Sequence, residues 1–287
     1  MPHGRPIRPA AVRGSLTLLL RGDLIVSVQL LERRPAIADY RRHGYALLRR
    51  VLTASDLDRA ERILDRRERA REQELQQMPD GRSWISHVGE ITFTARLASS
   101  EPSLRALLTA SALMGFMHEI VGPRPRLSFD QAVYKKPKCT QVVPWHQDDG
   151  YNPKVPADYV TFWIPLADTN VDNGTIRFQP RRHHEGPLPH WRTSDGYLAC
   201  QDGADGGVPI ELRRGDVVAF SSLLPHATGS NSTSEIRKAY IASCILDGTR
   251  LADGTLCNDS IEQPLLLPPS PDRSPLPHVI AGNRPGA

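Results

Sequence analysis

A few short stretches of this chain carry side chains whose types and spacing suit metal chemistry. In Trp145-His146-Gln147-Asp148 one residue separates an imidazole from a carboxylate, and in an extended segment both point to the same side. Such a pair can reach one metal ion, but the pattern alone is common. Ten histidines and 32 acidic residues in 287 positions yield about one His-x-acid triplet by chance. A second triplet is in fact present, His183-x-Glu185. A distant partner separates the two, because a non-haem iron site takes two histidines and one carboxylate and leaves positions open. His226, in Leu223-Leu224-Pro225-His226 beyond a Gly215-Asp216 turn and an apolar strand, fits as the second histidine. Read by itself it is equally a loop histidine satisfied by a backbone carbonyl. Arg237 opens the next apolar run, Ile236–Leu246. If a hairpin joins the two, the guanidinium can turn inward beside His226, and its planar fork suits a carboxylate such as the far end of 2-oxoglutarate. The other reading of Arg237 is a surface arginine on an edge strand.

The elements that must position these residues follow from periodicity. A short helix is expected over 36–43, then Gly44 and a strand over 45–49. A long helix follows from about Ser55 to Gln77, with Ser55 or Thr53 as its N-cap and Leu57, Ala60, Ile63 and Leu64 at helical spacing. Its charged second half either projects into solvent or covers another element. Leu104, Leu107, Leu108, Phe116, Met117 and Ile120 mark a second helix over 102–121, stopped by Gly122 and Pro123. Strands are expected after that: Leu127–Tyr134, Tyr159–Leu166, Thr175–Gln179, Val208–Leu212, Asp216–Ser221 and Ile236–Leu246. Helices followed by antiparallel strands give an α+β fold whose strands close into a sandwich or jelly roll.

With 39% hydrophobic and 24% charged residues the composition is globular. The net charge of +4 is spread along the chain apart from an arginine-rich stretch near the start, which argues against a nucleic-acid partner and also suits an anionic small substrate. No CxxC pair occurs among Cys139, Cys200, Cys244 and Cys257, so reduced thiols in a cytoplasm are expected. Arg21 and Asp23 cut the Leu16–Leu20 run short of the roughly 7–15 apolar residues of a signal peptide, and no run suits a membrane span. Residues 1–35 read as an extension and 36–260 as one domain. The segment 261–287, with seven prolines, reads as a tail.

An ordered set of motifs resembles the phytanoyl-CoA dioxygenase family of Fe(II)/2-oxoglutarate oxygenases. It comprises Tyr40-Arg41-Arg42-His43-Gly44-Tyr45, His146-Gln147-Asp148, Phe162-Trp163-Ile164-Pro165-Leu166 and Asp172-Asn173-Gly174-Thr175, then Gly215-Asp216-Val217-Val218-Ala219-Phe220, His226, Asn231 and Arg237. The resemblance covers about residues 36–246. It implies a double-stranded β-helix (jelly-roll) core with N-terminal flanking helices. It further implies Fe(II) on His146, Asp148 and His226, with 2-oxoglutarate gripped by Arg237 and O2 as the oxidant. Gln131 and Trp163 match positions lining the family's cosubstrate pocket. From the residues alone, Gln131 shares a strand face with Leu127, Phe129 and Val133, where a buried amide finds a partner in a ligand or in the core. Thr228 offers a hydroxyl to the same carboxylate or serves a turn, and Trp163 by default fills core.

One motif departs from the family. Pro180-Arg181-Arg182-His183-His184-Glu185-Gly186 stands where Pro-Gly-Ser-His and a glycine are usual, so His183 is assigned to a structural turn and the loop is bulkier and more basic. Gln147, Asp149, Arg181 and Arg182 are the candidate substrate contacts, and a small-molecule natural-product intermediate is the expected substrate. Asp148 excludes halogenation, because related halogenases leave that position empty for the halide. The rivals are a jelly-roll protein that binds a small molecule or metal without turnover, and a metal-dependent hydrolase or isomerase. Both leave Arg237 without a task.

Overall fold

The computed structural model describes residues 34–203 and 205–257; of the expected extension only 34 and 35 fall within them, and the 261–287 tail lies outside. A helix covers 34–43 and hands over at Gly44 to the strand Tyr45–Leu48. Gly44 adopts φ +85°, and a Cβ there would meet His183 Nδ1 at 2.6 Å, so glycine is required on both counts. Thr53, rather than Ser55, caps the long helix Ala54–Gln76, its Oγ1 accepting the Asp56 amide at 3.2 Å. The charged second half of that helix covers the sheet. Asp65 accepts the Tyr134 hydroxyl at 2.7 Å and pairs with Lys238, Glu68 pairs with Lys136, and Arg66 and Arg67 hold Glu101 at 3.0 Å.

The single helix expected over 102–121 is two, Pro102–Leu108 and Ser111–Ile120. Ala110 breaks it by taking extended ψ 136°, and the second segment is re-aimed so that Leu113, Met114, Phe116 and Met117 are all buried. Beneath the helices lies an antiparallel eight-stranded sheet that includes Tyr45–Leu48, Val217–Ser221, Val160–Pro165, Arg237–Leu246, Pro125–Lys135 and Ile91–Ala95, in that spatial order. A four-stranded sheet faces it, ordered Val208–Pro209, Ile176–Phe178, His226–Thr228, Val143–His146. These two sheets form the jelly-roll core, with the N-terminal helices packed on one side.

Period-two alternation gives each strand of the large sheet two jobs. Along Val160–Pro165, Val160, Phe162 and Ile164 join the core under the helices with Leu57, Leu64 and Phe116, while Thr161 and Trp163 point between the sheets. Val217 and Ala219 likewise face the helices; Val218 and Phe220 face inward. Burying a side chain such as Phe162 contributes roughly 1.5–3 kcal/mol. One expected face is corrected here. Cys244 pairs with Leu127 and Ser243 with Phe129, so Ser128 is the extra residue of a bulge. Leu127 therefore packs under the helices, whereas Phe129, Gln131 and Val133 beyond the bulge face inward.

Several strands lay outside the expected set, among them Ile91–Ala95 and the two short ones that carry the histidines. Val143–His146 contains Pro144, which ordinarily demotes a strand, and His226–Thr228, expected as loop, is a three-residue strand. They pair antiparallel with His226 directly opposite His146. Val208–Leu212 contracts to Val208–Pro209.

Candidate active site

The pairing of these two short strands brings the imidazoles of His146 and His226 to a centroid separation of 4.1 Å. Each Nδ1 lies 2.8–2.9 Å from a backbone carbonyl two residues back, Pro144 O for His146 and Leu224 O for His226. A carbonyl only accepts, so Nδ1 carries the hydrogen and Nε2 keeps its lone pair for the space between the rings. Asp148, first residue of the helical turn Asp148–Tyr151, places Oδ1 3.9 Å from His146 Nε2 and 3.5 Å from His226 Nε2. Its other oxygen accepts the Thr161 hydroxyl at 2.6 Å, and Thr161 in turn lies 3.1 Å from Ser243 Oγ on the paired strand. Ligand atoms of His146, Asp148 and His226 all fall within 4.8 Å of one another, close enough for one ion.

The protonation states suit cation binding. Burial and the neighbouring His226 push His146 down to about 3, so its imidazole is neutral at physiological pH. Burial pushes the Asp148 carboxyl up, but the charges and hydrogen bonds of His226, His146 and Thr161 outweigh it and hold the group at about 2. The Asp148 anion and the neutral His146 imidazole, with His226 beside them, make a donor set of the kind that takes divalent iron.

Beside this cluster, in a small cavity that His146, Asp148 and His226 also line, lies Arg237. Only 2% of it is exposed, and Nε, Nη1 and Nη2 all lack a hydrogen-bond partner. Thr228 Oγ1, in the same cavity, is also buried without a partner. Burial lowers Arg237 to about 10, which leaves it charged at neutral pH. A buried unpaired guanidinium is among the most costly arrangements a fold can hold, so the cavity is built to receive an anion. The Trp163 ring lies 5.7 Å from the guanidinium carbon, and Gln131 borders both this cavity and a larger one next to it.

Asn231 ties down the turn that precedes Arg237. Its amide donates to the carbonyls of Lys135, Lys136 and Glu235, tying the turn between the His226 and Arg237 strands to the neighbouring strand. Gly174, at φ +75°, allows the adjoining turn to close on the Gly229 carbonyl.

The four candidate substrate contacts are not brought to either cavity. Gln147 is buried and clamps backbone, donating to Gly186 O and Leu223 O at 3.0 and 2.6 Å and accepting the Leu188 amide at 2.7 Å. Asp149 accepts the Lys154 amide at 3.0 Å. Arg181 is exposed, with its backbone in the left-handed region, and Arg182 makes a two-point ion pair with Glu185. His183 packs against Gly44 with Nε2 3.3 Å from Arg41 O, the structural turn expected for it.

Other residues at the site went unnoticed in the sequence. Thr161 was legible as the inward neighbour of Trp163 two positions away. Lys135 sits one step beyond the expected Leu127–Tyr134 strand, fully buried, its ammonium donating to Gln141 O at 2.9 Å and to the carbonyls of Thr228 and Gly229. Burial and then the charge of Arg237 push Lys135 well below the usual lysine value.

Comparison with known proteins agrees with this architecture. The family model described as phytanoyl-CoA dioxygenase (PhyH) matches residues 40–239. A probable phytanoyl-CoA dioxygenase of Caenorhabditis elegans is 25% identical over 229 residues, covering 70% of this chain and 71% of that protein. The human peroxisomal phytanoyl-CoA dioxygenase is 27% identical over 143 residues, 46% of this chain and 42% of its own length. Among solved structures, the non-heme alpha ketoglutarate dependent carbocyclase SnoK from nogalamycin biosynthesis superposes with a TM-score of 0.60 at 21% identity, covering 77% of this chain and 87% of that one. The epimerase SnoN, in complex with Fe3+, alpha ketoglutarate and nogalamycin RO, gives 0.59 at 24% identity, covering 86% and 94%.

Proposed function

This chain belongs to the phytanoyl-CoA dioxygenase family, and from that premise we propose that it is an Fe(II)- and 2-oxoglutarate-dependent dioxygenase whose metal ligands are His146, Asp148 and His226. The observation that carries the reading is the orphaned, buried fork of Arg237 beside Thr228 Oγ1, in the cavity that the three donors share. Arg237 and Thr228 receive the far carboxylate of 2-oxoglutarate, with Gln131 and Trp163 along its walls. When bound, the iron and 2-oxoglutarate use O2 to couple loss of carbon dioxide to oxidation of a substrate C–H bond, by default a hydroxylation. The chain's own part is positional. Thr161 fixes the orientation of the Asp148 carboxylate, the carbonyls of Pro144 and Leu224 fix the tautomers of the histidines, and the side chains of Trp163, Ile176 and Phe220 form an apolar wall of the Arg237 pocket.

For the substrate we infer a small-molecule natural-product intermediate, on the strength of the likeness to SnoK and SnoN and of the larger cavity, about 330 Å³, that His146 and Asp148 border. The catalytic unit is taken as residues 36–260. Free thiols at all four cysteines support a reducing, cytoplasmic setting. The test is succinate formation from 2-oxoglutarate in anaerobically prepared protein given Fe(II) and then air. The proposal expects slow turnover without substrate that stops when Fe(II) is withheld. Metal-loaded protein that never consumes 2-oxoglutarate would favour the rival, a jelly-roll binding module.

A further inference from the structure

The larger cavity has a chemistry of its own. Its rim is the turn of the hairpin Arg82–Ser83 and Ser86–His87, where Trp84 is 60% exposed and sits at φ 54°, a conformation that costs a bulky residue free energy. From Trp84 aromatic rings lead inward. The Trp84 and Tyr151 centroids are 6.2 Å apart at 87°, and Tyr151 stands edge-on to the His146 ring at 5.5 Å. Across the cavity, Tyr197 and Phe93 form another edge-to-face pair at 6.2 Å, and the Tyr197 hydroxyl reaches the Ile85 carbonyl at 3.3 Å, holding the rim turn. An exposed tryptophan held in a strained turn at the start of this series is a platform for a flat guest.

The charges of the cavity are one-sided. Arg96, Lys154 and Arg192 line it, whereas among the described residues its carboxylate is Asp148, already placed on the metal. Arg96 and Arg192 are exposed and form no ion pair among the described residues, unlike Arg66 and Arg67 on the long helix. Arg192 spends one nitrogen on Gly196 O at 2.8 Å, and Lys154 donates to Asn152 O at 3.0 Å and to the Tyr159 hydroxyl at 3.3 Å. Asp149 stands behind Lys154 on the backbone side and does not enter the cavity.

We propose that this cavity selects a flat, ring-bearing organic acid, stacked on Trp84 and meeting Tyr151 edge to face, with its anionic group held by Arg96, Lys154 and Arg192. The inference rests on the oxygenase reading, in which His146 and Asp148 mark the wall where the reacting carbon is presented. It also moves the basic contacts from the Arg181-Arg182 loop, where the sequence suggested them, to Arg96, Lys154 and Arg192 in this cavity.

Calorimetric titration of the full chain with 2-naphthoate tests the inference, with Mn(II) and 2-oxoglutarate present to fill the inner pocket. The expected result is binding of 2-naphthoate at least about tenfold tighter than its methyl ester and than the saturated decalin carboxylate. Trp84→Ala and Arg192→Gln, both at exposed positions, should each weaken it by about tenfold, with Trp84→Phe restoring most of the loss. Equal affinity for acid and ester, or no change in either the Trp84→Ala or the Arg192→Gln variant, overturns the proposal. A naphthoyl-CoA thioester that binds about tenfold tighter than the free acid overturns the organic-acid class in favour of a thioester. Titrating Mn(II) and 2-oxoglutarate alone separates the two readings. Protein that binds both but not 2-naphthoate refutes this inference only; protein that binds 2-naphthoate as expected and neither of the others supports the cavity chemistry and refutes the oxygenase.

Discussion

His146-Gln147-Asp148 and His183-His184-Glu185 share one spacing and occupy opposite surroundings. The first runs off the end of a strand that pairs with the His226 strand, so its donors turn into the space between the sheets. The second lies in a single turn of 3-10 helix on the outside of the barrel, where Glu185 is exposed and engaged by Arg182, and His183 serves as packing against Gly44. Spacing decides only which atoms can be near one another; the backbone element decides where they point. The same contrast separates Arg237 from Arg182. One is buried with every nitrogen unpartnered; the other is half-exposed and saturated by Glu185 and Gln179.

The largest effect expected from this contrast is at the carboxylates. Asp148→Ala should abolish Fe(II)-dependent succinate formation and lower Mn(II) affinity by more than the roughly 10–100-fold typical of an outer partner. Glu185→Ala should leave both at the parent value; equal losses in the two variants would erase the distinction. At the arginines, Arg237→Lys should raise the KM for 2-oxoglutarate by about 10–100-fold, because a point charge cannot reproduce the fork, while Mn(II) affinity stays unchanged. An unaltered KM would remove Arg237 from the cosubstrate pocket.

A smaller step comes from Thr161→Val, which keeps the shape and removes the hydroxyl that orients Asp148. Metal affinity should fall by about tenfold or somewhat more, with the far-carboxylate contact intact, as seen in an unchanged KM for 2-oxoglutarate. The smallest is Arg182→Ala, which breaks a solvent-exposed ion pair and should shift stability by less than about 1 kcal/mol in chemical denaturation, without altering turnover or its salt response. A salt-sensitive change in substrate affinity would return the Arg181-Arg182 loop to the cavity.

Much of this organisation was readable in advance, for identifiable reasons. Val160–Pro165, Val217–Ser221 and Arg237–Leu246 are buried on both faces against different cores, so each reads in sequence as a largely apolar run bounded by turn residues. The long helix was visible from Leu57, Ala60 and Leu64. What escaped was set by single residues acting against local preference. Val143–His146 is a strand despite Pro144, because its partner strand supplies the pairing on one side only, at the edge of the small sheet. Ser128 is an ordinary strand residue until its partner shows it to be the bulge that sends Leu127 and Phe129 to opposite faces. Thr109 and Ala110 are compatible with a helix, yet the chain turns there to bury Phe116. Lys135, a lysine at the end of a strand, reads as solvated; the carbonyls of Gln141, Thr228 and Gly229 draw it inside.

The central claim is that two short strands, and the helical turn that follows one of them, bring His146, Asp148 and His226 to one metal and leave Arg237 to hold the cosubstrate. A crystal structure of the protein with Mn(II) and 2-oxoglutarate, with the metal located by its anomalous signal, tests it most directly. The account predicts one ion at about 2.0–2.4 Å from His146 Nε2, Asp148 Oδ1 and His226 Nε2, with the far carboxylate of 2-oxoglutarate paired to Arg237 and within reach of Thr228 Oγ1. An ion on His183 or Glu185, or a 2-oxoglutarate carboxylate lying away from Arg237, would contradict it.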